Sequence, residues 1–202
     1  MHLLSLPSVY DLFQTAIGGN RFRRWFLTSF VESSDSTRVL DVGCGTGVAA
    51  DFLRFDSYTG VDLSDIYIAK ARDKSIPRAT FLHGDCIREL KRLPSDSIDV
   101  AVCGGLFHHL TDAQSAELVS ELARVIAAGG TMYAFEPVLE QSTEALTRWL
   151  MRMDRGKNLH SLQEWRGLFA AGFDDVELVT QKGRVLIPYD LVLVCAKSAK
   201  RL

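Results

Sequence analysis

The chain is short of several things that would narrow its class at once. It has four cysteines in 202 residues, at 44, 86, 103 and 195, with no Cys-x-x-Cys pair among them. That spacing excludes a zinc ribbon and argues for free thiols in a reducing compartment rather than a disulfide framework. No apolar run approaches the ~20 residues of a membrane span. The opening Met1-His-Leu-Leu-Ser-Leu-Pro7 is apolar but has neither a basic start nor a small-residue cleavage site, so no secretory leader is expected and the protein is expected in the cytoplasm. Charge of one sign is also missing: the formal net charge is −2, which gives no global attraction to nucleic acid.

What is present is a 47% hydrophobic composition, enough for one full core and a single domain over 1–202. The informative stretch is Val39-Leu-Asp41-Val-Gly43-Cys-Gly45-Thr-Gly47. Val39, Leu40 and Val42 read as the end of a buried strand. The glycines permit a sharp turn, and Val48–Leu53 is expected to continue as a helix. Strand, tight turn and helix together put free backbone N–H groups at the carboxyl edge of a sheet, where open α/β sheets bind nucleotide-like ligands. A dinucleotide fingerprint wants its third glycine at 48, which is Val. Asp41 would also face a pyrophosphate unfavourably, whereas it suits a ligand with a cationic amino group and a sulfonium.

Three further strand ends follow in order. Tyr58–Asp62 closes on a carboxylate 19 positions past Gly43, the spacing at which an acidic residue takes ribose hydroxyls. Thr80–Cys86 ends in a Gly-Asp turn, where Asp85 is placed for an exocyclic amine. Asp99–Cys103 runs into Gly104-Gly105-Leu-Phe-His108-His109. The paired histidines have no partner at metal-ligand spacing, so no metal site is expected. Thr111-Asp-Ala-Gln114 is a capping box opening a helix that Gly129-Gly130 is expected to end, before a fifth strand over Thr131–Glu136.

Asp-x-Gly-Cys-Gly-Thr-Gly followed by these strand ends resembles motifs I to IV of the class I S-adenosylmethionine (SAM) dependent methyltransferases, of the ubiquinone and menaquinone methyltransferase type. The resemblance is strong over residues 37–136. It implies a Rossmann-like α/β fold: a seven-stranded, mostly parallel sheet with an antiparallel last strand and helices on both faces. It implies SAM as cofactor and S-adenosylhomocysteine (SAH) as product. Asp41, Gly43, Cys44 and Gly45 would surround the methionine portion, with Gly47 opening the helix. Asp62 would bind the ribose and Leu63 pack on the adenine, with Asp85 and Cys86 at its edge. Cys103, Gly104 and Leu106 would line the sulfonium side, with His108 close by. The Asn/Asp-Pro-Pro-aromatic motif of base-methylating enzymes is absent, which makes nucleic acid an unlikely partner.

The flanks are read from pattern alone. Residues 1–35 form a helical cap, in which Tyr10 and Phe13 could close over the site; Arg21, Arg23 and Arg24 read as a solvated helix face. Residues 137–160 form a substrate-side helical insertion, with a helix over Glu144–Asp154 carrying Arg148, Arg152 and, just beyond it, Arg155. A solvated face is the plainer reading of that stripe; an edge attracting an acidic substrate is the other. Ser161-Leu-Gln-Glu164 caps a helix, and strands are expected over Phe173–Val179 and Val185–Ala196. If the acceptor must lose a proton, His109 or His108 is the expected base, then Glu136, then His160. The expected function is methyl transfer to a small molecule by a monomer or homodimer. A protein or RNA methyltransferase and a SAM-binding module without activity are the alternatives.

Overall fold

The computed structural model describes residues 19–139, 158–182 and 190–200. The part of the expected helical cap before residue 19, with Tyr10 and Phe13, and the expected helix over 144–154 with the arginines at 148, 152 and 155, lie outside them.

Helix α1 (Gly19–Ser29) precedes the sheet. Then come β1 (Arg38–Val42), β2 (Ser57–Asp62), α2 (Asp65–Asp73), β3 (Ala79–His83), α3 (Cys86–Leu90), β4 (Ile98–Gly104) and α4 (Asp112–Val125). Strand β5 (Ile126–Pro137), α5 (Leu162–Ala170), β6 (Phe173–Gln181) and β7 (Leu191–Ala199) complete the order. The strands form a seven-stranded sheet in the order β3-β2-β1-β4-β5-β7-β6. The pairs from β3 to β5 are parallel, and β7 runs antiparallel to both of its neighbours.

The period of two along each strand divides the core into two layers. On β4, Ala101 and Cys103 pack with Leu118, Leu122, Trp165 and Phe169 from α4 and α5. Val100 and Val102 face the other way, toward Phe22, Phe26 and Ile68 of α1 and α2. Burying rings such as Phe26 and Phe169 contributes about 2–3 kcal/mol each. Because β1 and β4 lie side by side with Asp41 opposite Val102, Asp41 shares the α1 layer.

Three expected boundaries are corrected. The helix expected over Val48–Leu53 is a single 3-10 turn, Ala49–Asp51. Only 14 residues separate β1 from β2, and most are spent on the glycine turn and the return. Gly129-Gly130 does not end α4, which passes straight into β5 at Ile126. Gly129 has φ +79° and the register shifts between Ile98 and Val100, so the two glycines form a bulge inside a long strand. The last strand begins at Leu191 and runs on to Ala199; 183–189 lie outside the described residues.

Candidate functional site

The turn after β1 is built from backbone hydrogen bonds to β2. The N–H groups of Gly43 and Cys44 both donate to the Val61 carbonyl, at 2.8 and 3.0 Å, and Gly47 N–H returns to Cys44 O at 3.0 Å. Gly43, Gly45 and Gly47 all have positive φ, which this path requires and which other residues adopt at a cost. The carboxylate of Asp62 holds the turn from the next strand. Its Oδ2 accepts Gly45 N–H and its Oδ1 accepts Ser64 N–H, each at 2.8 Å. Lys74 steadies the exit, donating to Gly47 O at 3.2 Å and to Asp51 at 2.6 Å.

Beside the turn lies a cleft walled by Arg23 and Phe26 of α1, Asp41, Gly43, Gly104 and Phe135. Phe22 and Phe26 meet the Phe135 ring edge-on, at centroid distances of 5.1 and 5.0 Å, which seats α1 against the tip of β5. Asp41 is buried, and Tyr58 donates its hydroxyl to it. Burial raises the Asp41 carboxyl to about 6, opposed by the Tyr58 hydrogen bond and the positive charge of Arg23, and reinforced by the charge of Asp62. A cation entering the cleft would stabilise the ionised carboxylate.

At the neighbouring strand tips, Asp85 caps α3 by accepting Arg88 N–H at 2.9 Å, leaving its side chain exposed at the rim. Cys86 is partly buried beside it, its thiol pushed up to about 11 by that burial. Leu63 is 74% exposed just past Asp62, while His83 meets its carbonyl at 3.1 Å. Burial raises the Cys44 and Cys103 thiols as well, so none of the three is a ready nucleophile.

Two expected site residues face the wrong way. Cys103 is fully buried in the α4–α5 layer, because strand alternation turns it away from the cleft that Val102 and Gly104 line. Glu136 alternates with Phe135 in the same manner and is 0% exposed. Its Oε1 accepts the N–H groups of Leu106 and Phe107, both at 2.8 Å. Its Oε2 accepts from His108 N–H at 3.3 Å and stands 2.6 Å from His108 Nδ1. Glu136 therefore anchors the loop after β4 and is not the second base expected.

That loop passes through a 3-10 turn, Phe107–His109. The His108 ring is buried and His109 is exposed, with centroids 4.0 Å apart. A Cβ built on Gly105 would lie 3.5 Å from Phe135 and 3.6 Å from His108, so only Gly105 separates the cleft wall from the imidazole. Leu106 reaches the other side, 3.2 Å from the Cβ position of Gly43. His160, the third candidate, sits farther along the rim against the Trp165 ring at 4.6 Å, with Asp112 at 3.6 Å.

The sequence reading missed Arg23, Tyr58, Phe135 and Asn158. Arg23 carried a faint signal, lying between Phe22 and Phe26 at the border of the apolar face of α1 rather than on its far side. The donor set suits an amino-acid end: a guanidinium for a carboxylate, and a carboxylate for an ammonium. A Cβ at Gly45 would meet nothing within 4 Å, so the turn leaves open space in front of its backbone. A ligand of the SAM type therefore fits the residues present.

Comparisons with known proteins point the same way. A family profile described as a methyltransferase domain matches residues 39–130. The chain is 30% identical over 128 residues to an uncharacterized methyltransferase of Geobacillus thermodenitrificans, covering 62% of this chain and 58% of that protein. It is 36% identical over 101 residues to a probable S-adenosylmethionine-dependent methyltransferase of Mycolicibacterium smegmatis, covering 49% and 37%. The matches thus span less than two thirds of the length of these curated relatives. In fold, the chain resembles a SAM-dependent methyltransferase from Archaeoglobus fulgidus, with TM-score 0.73 and 19% identity over 93% of this chain and 99% of that one.

Proposed function

We propose that the chain is a class I SAM-dependent methyltransferase and that it transfers the SAM methyl group to a small-molecule acceptor by in-line displacement, leaving SAH. The observation that carries the proposal is the cleft in which Arg23, Asp41 and the Gly43–Gly47 turn converge, with Asp62 one strand away. Bound there, SAM supplies an electrophilic methyl group on a neutral leaving group, so the protein has mainly to align partners and exclude water.

In this reading Arg23 takes the carboxylate of the methionine portion and Asp41 its ammonium. Asp62 keeps its two backbone donors and accepts the ribose hydroxyls with its remaining lone pairs, since a carboxylate has about four acceptor sites. Leu63, Asp85 and the Cys86 backbone form the adenine side. Gly43, Cys44, Gly45 and Gly47 allow close approach of the backbone, and Gly104 and Leu106 border the sulfonium. If the acceptor is a hydroxyl, its proton passes to an imidazole as the new O–C bond forms and the S–C bond breaks. His108, whose Nδ1 is committed to Glu136, would accept through Nε2; His109 is the exposed alternative.

Phe22 and Phe26 of α1, packed edge-on against Phe135, put an apolar wall beside the cleft, which supports a small acceptor over a macromolecule. The test is incubation with methyl-labelled SAM and, in parallel, a panel of small hydroxyl and amine acceptors, bulk RNA and unfolded protein. Label in a small molecule is expected. Label only in RNA or protein would overturn the small-molecule assignment.

A further inference from the structure

The loop carrying the two histidines is held on two flanks by groups of opposite character, acceptors on one and donors on the other. On one flank the Glu136 carboxylate gathers three backbone N–H groups and the His108 imidazole. On the other, Asn158 supplies donors. Its backbone N–H reaches His108 O at 3.3 Å, and its side-chain amide donates to Leu110 O. Backbone carbonyls in a half-buried loop need such partners, or the loop relaxes toward water.

Asn158 is itself placed by the tip of β5. Val138 and His160 form a parallel bridge, and Leu139 N–H donates to His160 O at 3.0 Å. Trp165 Nε1 donates to Pro137 O at 3.1 Å and fixes the same tip to α5. Glu136 and Asn158 each lie two residues before the bridged pair, so one short frame positions both clamps. An ionised carboxylate only accepts, which puts the proton on His108 Nδ1 and the basic lone pair on Nε2.

We infer that Asn158 is a positioning residue for His108: by holding the carbonyls of His108 and Leu110 it keeps the 3-10 turn in the geometry that seats Nδ1–H on Glu136. The consequence for proton transfer rests on the proposed methyl transfer, but the geometry is testable in the protein alone. Nitrogen-15 and proton NMR of histidine-labelled protein should show a far-downfield Nδ1–H signal from His108, moved upfield in Glu136→Gln, whose amide oxygen is a weaker acceptor than the carboxylate.

In Asn158→Asp, the protonated carboxyl introduced at low pH still donates to Leu110 O, so the signal persists there. As that carboxyl ionises it repels the carbonyl, and the signal broadens or disappears with a titration the wild type lacks. Asn158→Ala, the second variant, should weaken the signal at every pH while folded structure by circular dichroism is retained. An unchanged resonance in both folded variants would overturn the inference. Titration with SAH separates the two proposals: loss of binding by the wild type would defeat the methyltransferase reading, while the resonance test stands by itself.

Discussion

The Tyr58 hydroxyl donates to the Asp41 carboxylate at the floor of the cleft, a buried phenol against a buried acid. The folded protein raises Asp41 from 3.8 to about 6, so between those values the native state holds a proton that the unfolded chain has released. This group's contribution is greatest below pH 3.8 and falls by about 3 kcal/mol as pH rises through 6. Asp99 and Glu164 are shifted the other way by their partners and act below this window. Melting temperature should therefore fall between pH 5 and pH 7 by more in the wild type than in Asp41→Asn, read by differential scanning calorimetry.

The same carboxyl links ligand binding to pH. A cationic amino group beside Asp41 favours its ionised form, so binding of SAH should tighten as pH rises through about 6 and release a proton there. Tyr58→Phe removes the hydrogen bond that lowers Asp41, moving the transition to higher pH. Calorimetry in two buffers of different ionisation enthalpy measures the proton; heats independent of buffer at pH 6 would contradict the assignment.

Asp62 has a double duty that complicates the obvious mutant. Asp62→Ala orphans the N–H groups of Gly45 and Ser64 and should cost about 1–3 kcal/mol in urea unfolding, apart from any ribose contact. Asp62→Asn retains one acceptor oxygen and should cost less than half as much stability. Through the ribose contact both variants should also lose SAH affinity, measured alongside the denaturation; unchanged affinity in a folded variant would contradict that contact.

Gly47 tests the turn without touching a charge. At φ +69° a Cβ would also come within 2.7 Å of the Phe81 ring. Gly47→Ala should destabilise the protein by about 1–3 kcal/mol by strain and overpacking. Gly45→Ala has positive φ but open space, and should cost less stability.

The parts legible in the sequence were those where one residue type answers one local need. Glycine at 43, 45 and 47 announced a turn with positive φ, and both capping boxes stand as read, at Thr111–Gln114 and Ser161–Glu164. The mostly parallel sheet came with the family resemblance that the ordered strand ends carry. Less legible was which face a strand-tip residue presents. Phe135 and Glu136 are adjacent in sequence, yet alternation sends one to the cleft and the other beneath the histidine loop. Arg23 read as solvated because a helix alone does not say which of its borders meets the sheet edge. Asn158 had no signal, since its partners are carbonyls nearly fifty positions away in sequence.

The most direct test of the central claim is calorimetric titration of the purified protein with SAM and with SAH, repeated on Arg23→Ala. Saturable one-site binding of both ligands is expected, weakened roughly tenfold or more when the guanidinium is removed. Folded protein that takes up neither ligand would contradict the claim.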